Sequence, residues 1–553
     1  MTDHSIENFD PISLEIYWSR LISIADEAAT SLVRTAFSTI VRESNDYGTV
    51  VMDRNGDSIS ENTGGIASFS CILPRTTKAF LAKFPAETWR PGDAVITNDP
   101  WLATGHLPDF TIVSPIFHDD RLVGFAGSIS HSPDVGGSLW SADCQEIFEE
   151  GIRIRPAHLL RGGAWNEEFL DLLLGNVRLP EQVFGDLGAQ VVANDVAARR
   201  VGDFLSDTKL RDLQTLSNAF HSRSDDAMRR AIAGVPDGVY SAILEADGFD
   251  DQTTRIVCSV AINGDRMHID YEGTSPQVNR GINCVLNYTH AYSVYPIKCA
   301  LDPLSPRNEG SYRAITVSAP GRSILNPVFP APCNARQLTG HLLAGVIYRA
   351  LAEVLPEKVI ADSGGAPSMR AVFSGLNRER QAFSQVLFAS GGMGAAPHKD
   401  GLSTTAFPTN VGAGSIEAYE NVAPLLVWKK LLRTDSGGAG KFRGGLGQEI
   451  EVELRTDTPV RMSLLADRTK YPASGLLGGQ CGGPSEILFE DGTKPHPKSR
   501  TTVAAGRKVT LRYAGGGGYG DPRSRDRAAV LADLENGYIS VDAARQIYGQ
   551  EIA

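Results

Sequence analysis

Two histidines and an aspartate, His106, Asp109 and His131, are the residues whose types and spacing could do chemistry. The first two lie three apart in TNDPWLATGHLPDFTIVSP, residues 97–115, where a turn punctuated by Gly and Pro runs into an apolar stretch. Two imidazoles and a carboxylate suit Zn, Mn or Fe(II) and leave positions open for water or substrate. A metal held this way can polarise a carbonyl or lower the pKa of a bound water. Each residue also has a plain structural reading: His106 as a loop residue, Asp109 as a turn former, His131 as the polar end of a strand. Asp134, three residues beyond His131, reads as a fourth ligand, as a partner orienting an imidazole, or as the cap of the turn before Gly136 and Gly137. Asp46, in RESNDYGTVV, is a lone carboxylate before a strand and has no claim from spacing alone.

A hairpin must bring the three together. FTIVSPIF (110–117) is strand-like, His118-Asp119-Asp120-Arg121 is a polar turn, and LVGFAGSIS (122–130) is strand-like again. With the turn centred near Asp119 and Asp120, Asp109 is expected opposite about Ser130, and His131 across from Pro108. Opposed residues of an antiparallel pair stand about 5 Å apart, so His131 arrives at the end of the hairpin that carries His106 and Asp109.

Around this hairpin the pattern alternates. Leu14, Tyr17, Leu21 and Ile24 fall at helical spacing and predict a helix from 11 to about 37. YGTVVMD, then Asn55-Gly56, predicts a second hairpin. Residues 74–85 read as helix and GDAVITNDP as a strand. From 167 the pattern is helical to about Ser222, and a short helix is expected from Ser224 to a Gly-Val-Pro-Asp-Gly boundary at 234–238. Strands follow (YSAILEADGF, RIVCSVAING, MHIDYEG), then a helix near 285–301, a Pro/Gly-rich connector, and one amphipathic helix in QLTGHLLAGVIYRALAEVL. From about Trp428 strands and turns dominate, with a last helical stretch near Arg525. The expected fold class is α+β, a multi-subdomain mixed fold with a β-rich C-terminal third. Its expected parts are an α/β metal-site domain (1–235), a β-rich module (236–330), an α/β module (331–427) and a β-rich C-terminal module with terminal helices (428–553).

Composition narrows the classes. With 553 residues, 42% hydrophobic and 21% charged, the chain can build an ordinary globular core. A net charge of -12 and a pI of about 5.5 lack the basic footprint that nucleic acid or an anionic membrane would demand. The seven cysteines never form a CxxC pair, which argues against a disulfide framework or a thiolate zinc site and for a reducing, cytoplasmic setting. The polar start, MTDHSIENFDP, carries no signal-peptide pattern, and no apolar run is long enough to span a bilayer. GGGGYGDP (515–522) lacks the Walker pattern and reads as a tight turn with close backbone packing. DSGGAGKFRGGLG (435–447) reads as an anion cradle or a turn-rich structural loop. Cys333, in PAPCNAR, has no histidine at nucleophile spacing.

Several long stretches resemble the hydantoinase B/oxoprolinase family: TNDPWLATGHLPDFTIVSPIF, HSPDVGGS, EIFEEGIRIRP, GNVRLPEQVFGDLGAQVVAN, NEGSYRAITVSAPGRSILNPVFPAPCNAR, DSGGAGKFRGGLG, and GGGGYGDP with LENGYISVDAARQIYG. The resemblance covers essentially the whole chain. It implies a B-type subunit of an ATP-dependent cyclic-amide hydrolase (N-methylhydantoinase, 5-oxoprolinase, caprolactamase). Its relatives include the alpha-type subunits of biotin-independent ketone carboxylases such as acetone carboxylase. It implies a hetero-oligomer in which an A-type subunit of actin-like ATPase fold takes ATP and Mg and phosphorylates the substrate carbonyl, while the B-type subunit holds a divalent metal, Zn or Mn. Carried over by motif, the ligands are His106, Asp109 and His131. Asp46 is the best match to an upstream aspartate that contributes in some members, although RESNDYGTVVMD departs from the usual run there. On this reading Asp134, or Asp46, serves as general base or orients a ligand. Ketone carboxylation on the same site, and a metal-free scaffold subunit, are the rival expectations; the chain is shorter than carboxylase alpha-type subunits generally are.

Overall fold

The computed structural model describes residues 9–550; residues 1–8, on which the expectation of no signal peptide rests, lie outside the described residues. The first helix, Pro11–Thr35, forms as its spacing predicts. Asp10 caps it, accepting from the N–H groups of Ile12 and Ser13 at 3.0 Å, and Pro11 occupies the first turn, where no N–H is needed.

Seven strands make the sheet that carries the histidines: β1 (Tyr47–Asp53), β2 (Ser58–Glu61), β3 (Ala94–Thr97), β4 (Asp109–His118), β5 (Arg121–His131), β6 (Ala157–Arg161) and β7 (Ala164–Trp165). Their spatial order is β2-β1-β5-β4-β3-β6-β7, with antiparallel neighbours throughout. Successive side chains alternate between faces, and both faces are covered. Val51, Ile116 and Ala126 pack under the Pro11–Thr35 and Pro180–Thr208 helices, while Val50, Met52, Val113 and Phe125 pack with Phe69 and Leu73 of the Ala67–Lys83 helix.

A second sheet, β8 (Gly238–Phe249), β9 (Gln252–Asn263), β10 (Arg266–Asp270) and β11 (Ile315–Ser318), has the order β11-β10-β9-β8. Its buried side shares one core with the Leu286–Leu301 and Leu342–Leu351 helices. The C-terminal part holds two more sheets. β12 (Arg370–Leu376), β13 (Ala382–Phe388), β16 (Val460–Leu465) and β18 (Arg500–Val503) form one; β14 (Leu425–Leu432), β15 (Gln448–Leu454), β17 (Glu486–Phe489) and β19 (Lys508–Arg512) form the other. Phe373, Phe383 and Leu464 of the first share a core with Val452, Val509 and Leu511 of the second. The fold is thus mixed α+β. Among the described residues no helix is long and apolar enough to cross a membrane.

Several boundaries differ from the sequence reading. The helix expected at 74–85 begins at Ala67 and runs through Pro74 to Lys83, because burial of Phe69, Ile72 and Leu73 outweighs the hydrogen bond the proline removes. The long helix ends at Thr208, where Lys209 turns left-handed (φ 58°), and Gln214–Ala233 is one helix rather than a break near 223. The single helix expected from Gln337 is two, Gln337–Gly340 and Leu342–Leu351.

The glycine runs form a web of backbone outside any sheet. Gly392 donates to Ala514 O (2.9 Å), Gly445 to Met393 O (2.8 Å), Gly516 to Gly445 O (2.9 Å) and Gly438 to Gly516 O (2.8 Å). A Cβ on Gly444 would lie 1.9 Å from Gly516 O. Glycine is needed there for proximity, not for a left-handed turn. Gly444→Ala should therefore cost about 3 kcal/mol or more in denaturant unfolding. Gly202→Ala, in the Pro180–Thr208 helix with open space around it, should gain about 0.5–1 kcal/mol.

Candidate metal centre

Three neighbouring strands, in the order β1-β5-β4, end at the same place. β4 starts at Asp109 and β5 finishes at His131, and the two residues pair directly. The expected register was one residue away, and a bulge between Ile116 and Phe117 accounts for the difference. β1 pairs Tyr47 with Ser130, which sets Asp46 beside His131, whose N–H donates to Asp46 O (3.1 Å). His106 reaches the same point from the turn before β4. There Gly105 is left-handed (φ +95°), and a Cβ would come within 2.8 Å of Arg336 Cδ.

The ligand-type atoms of His106, Asp109 and His131 all lie within 4.8 Å of one another. Asp109 Oδ1 stands 2.8 Å from His106 Nε2 and 2.9 Å from His131 Nδ1. Its Oδ2 accepts from Arg336 Nη2 at 2.7 Å. Burial opposes the charge of Asp109, but the imidazoles and the Arg336 guanidinium outweigh it and hold the carboxyl well below its usual range. Burial, reinforced by Arg336, pushes His106 down to about 4, so its ring is neutral at physiological pH.

The tautomer of His106 follows from its other nitrogen. Nδ1 lies 3.0 Å from the backbone carbonyl of Asn334, which can only accept, so Nδ1 carries the proton and Nε2 is bare. That bare Nε2 has no hydrogen-bond partner and faces the Asp109 oxygen across 2.8 Å. Two lone pairs opposed at that distance, in a site closed to solvent, fit a cation between them. The donor set and the carbonyl that orients the imidazole match what a divalent ion requires.

Asn334 is itself fixed from two sides. Trp140 Nε1 donates to the same carbonyl at 2.7 Å, and Glu150 Oε1 accepts from the N–H groups of Cys333 (2.7 Å) and Asn334 (2.8 Å). The cavity beside these groups has a volume of about 40 Å³, room for about two or three waters. Asp46 faces it, with no hydrogen bond to its carboxylate among the described residues. Burial raises the Asp46 carboxyl to about 6, partly offset by His131. Asp46 therefore shares the cavity with the three ligand candidates but stands outside their tight group.

Asp134 does not line this cavity. Its carboxylate accepts from Gly136 N (3.0 Å), from Arg178 Nη1 (2.8 Å) and from the Arg178 backbone N–H. Both oxygens are engaged in holding the turn after β5, away from the cavity lining. A second candidate group, Asp53, Asp57 and His221, already holds cations: Lys78 Nζ lies 2.6 Å from Asp57, and Arg313 Nη2 lies 3.2 Å from His221 Nδ1.

The sequence reading missed the rest of the cavity's lining. Arg336 comes from the connector after residue 330, Gln337 from the start of the helix that follows, Tyr288 and Tyr292 from the Leu286–Leu301 helix, and Arg370 from the start of β12. The amide atoms of Gln337 have no partner although the residue is buried. The only signal was the stretch PAPCNARQ itself, which no spacing rule connects to a hairpin so much earlier in the chain.

Architecture and cavity together define a mixed α+β protein with a buried centre of two histidines and a carboxylate. The chain belongs to the hydantoinase B/oxoprolinase family, whose profile matches residues 10–522. The putative B-type subunit of a D-/L-hydantoinase from a Pseudomonas species is 30% identical, over 99% of this chain and 96% of the relative. The crystal structure of the ATP-dependent caprolactamase from Pseudomonas jessenii superposes with a TM-score of 0.91 at 29% identity, covering 99% of this chain and 97% of that one. Acetone carboxylase in its nucleotide-free form shares the fold, with a TM-score of 0.90 at 18% identity, over 100% of this chain and 81% of that one.

Glu150 yields a test of the scaffold. Burial pushes its carboxyl well above 4.5, against the opposing N–H bonds from Asn334 and Cys333. The folded chain then keeps this proton to higher pH than the unfolded chain does. Stability from this group is full below the unfolded value and declines as pH rises toward the folded one, by at most about 1.4 kcal/mol per pH unit. Glu150→Gln removes that titration. Its melting temperature relative to wild type should climb between pH 5 and pH 8 in thermal scans and show no gain at pH 4.

Proposed function

We infer that this chain is the B-type, metal-bearing subunit of an ATP-dependent hydrolase of cyclic amides of the hydantoin, lactam or oxoproline kind. In this reading ATP and Mg are held by an A-type subunit, which phosphorylates the amide oxygen. The observation that carries the reading is the bare Nε2 of His106 facing the Asp109 carboxylate. Family membership and the hydantoinase and caprolactamase relatives support the substrate class and the partner.

His106, Asp109 and His131 would hold a divalent ion, Zn or Mn. Such an ion supplies Lewis acidity toward a carbonyl oxygen and lowers the pKa of water. The chain's own groups do the rest. An amide carbon is a poor electrophile, and phosphorylation of its oxygen turns that oxygen into a leaving group. Asp46, its carboxylate free of hydrogen bonds and next to His131, is placed to take the proton from the attacking water. Gln337 offers an unpaired donor and an unpaired acceptor to the cavity, the complement of a substrate amide. Arg336 keeps Asp109 ionised, and the closed wall of Trp140, Tyr288 and Tyr292 excludes bulk water from the activated carbon.

Plasma mass spectrometry on the purified chain should find near-stoichiometric Zn or Mn, reduced at least tenfold in His131→Ala. With the A-type subunit added, ATP turnover should depend on a hydantoin or lactam. Turnover that instead requires a ketone and bicarbonate would assign the same cavity to carboxylation. Equally little metal in both proteins after reconstitution would overturn the metal-centre reading.

A further inference from the structure

Arg370 has no part in the scheme above, yet it lines the same cavity as His106, Asp109 and His131 and is 3% exposed. Its place is set by the sheet: as the first residue of β12 it pairs with Phe388 of β13 and with Leu465 of β16. Its head group is held on one side only. Nη1 donates to Met369 O and Ala389 O, both at 3.0 Å, and the guanidinium lies over the Phe388 ring, 4.7 Å from its centroid. Nε and Nη2 carry no hydrogen bond, and no carboxylate forms an ion pair with the group among the described residues. Arg336, the other guanidinium of the cavity, is matched by Asp109 at 2.7 Å.

Burying a guanidinium with no ion-paired carboxylate is costly, even with Asp46 favouring its charge from beyond ion-pair distance. The cost is offset where a ligand brings the anion, and the planar fork of arginine suits phosphoryl and carboxylate oxygens. The charge balance of the cavity favours the former. A divalent ion and the two guanidiniums bring four positive charges, against two negative charges from Asp46 and Asp109. The surplus matches a phosphoryl group, which carries about −1.5 to −2 at neutral pH. The backbone bonds and the ring contact fix the fork before any ligand arrives, so little order remains to be imposed on binding.

We propose that Arg370 is an oxyanion anchor whose Nε–Nη2 fork holds the phosphoryl group of the activated amide and the phosphate left after ring opening. The identity of the phosphorylated molecule rests on the hydrolase reading, and the preference for phosphate over carboxylate on its metal; the free fork of Arg370 rests on neither. Sharing the cavity with the histidines, it would fix the activated ring relative to the metal ligands, which makes Arg370 a determinant of which ring conformations react.

The test uses the full chain, metal-reconstituted, without ATP or partner. Inorganic phosphate is titrated by calorimetry into wild type, Arg370→Lys and Arg370→Met, and acetate is titrated in parallel. Wild type should bind phosphate, Arg370→Met should lose at least tenfold in affinity, and Arg370→Lys should fall between. Acetate should bind wild type at least tenfold more weakly than phosphate. Metal content and near-ultraviolet circular dichroism on the same samples report whether each variant keeps its fold. Should Arg370→Met fail to fold, Arg370→Lys and a tungstate soak of wild-type crystals decide: density within hydrogen-bond reach of Arg370 supports the anchor, and density elsewhere overturns it. Equal phosphate affinity in wild type and a folded Arg370→Met also overturns it, as does equal affinity for acetate. Because phosphate binding is read apart from turnover and metal content is measured separately, a wild type that takes up no metal yet binds phosphate through Arg370 would overturn the metal-centre reading and leave the anchor standing.

Discussion

A carboxylate with no solvent exposure governs the organisation of this molecule. Asp109 is fully buried, and a buried charge survives only when its surroundings repay its lost hydration. Here repayment comes from the Arg336 guanidinium on one oxygen and His131 Nδ1 on the other, while the bare Nε2 of His106 leaves the second oxygen facing a place for a cation. Withdrawing one partner from such a cluster typically costs about 3–5 kcal/mol, because the remaining charge is stranded. Asp109 thereby ties the strand ends of the first sheet to the connector that carries Arg336. Residues far apart in sequence are held in one place by a single electrostatic requirement.

Rigidity then passes outward in steps. His106 is oriented by the Asn334 carbonyl, that carbonyl by Trp140, and the Asn334 backbone by Glu150. Each link is a short hydrogen bond between buried groups, so an error at one is not absorbed by solvent at the next. The seven-stranded sheet contributes a firm edge because helices cover both of its faces. Arg370 rests on a sheet that is itself half of a packed pair. The groups around the cavity are held in place by these contacts, which is the condition for electrostatic catalysis to be effective.

How much of this could be read from the chain depends on how each contact is made. His106, Asp109 and His131 were legible because a hairpin with a short polar turn converts spacing directly into proximity. The register was off by one because a bulge leaves no mark on the alternation of apolar residues. Asp46 could be picked only through the family resemblance, since β1 lies beside β5 through a pairing that skips three intervening strands in sequence. Of the readings open for Asp134, the turn cap is the one the structure shows; Arg178, which also claims its carboxylate, lies 44 residues downstream and left no signal. Arg336, Gln337 and Arg370 were illegible as site residues: they sit in a connector, at a helix start and at a strand start, whose places at the cavity are set by tertiary packing alone. The helix break at Lys209 was hidden for a related reason, because helical spacing continues across a point where one left-handed residue turns the chain.

The glycine web has a consequence for how such chains are recognised. Its contacts are backbone against backbone, so the residues that identify it are the ones that do nothing but stay small. Runs such as GGGGYGDP stand out in the sequence and would anchor any pattern built to find related proteins. They report an architecture. The residues that would separate one substrate from another, Gln337 and Arg370 among them, lie in unremarkable surroundings that a pattern would pass over. Two chains could share every glycine of the web and bind different molecules.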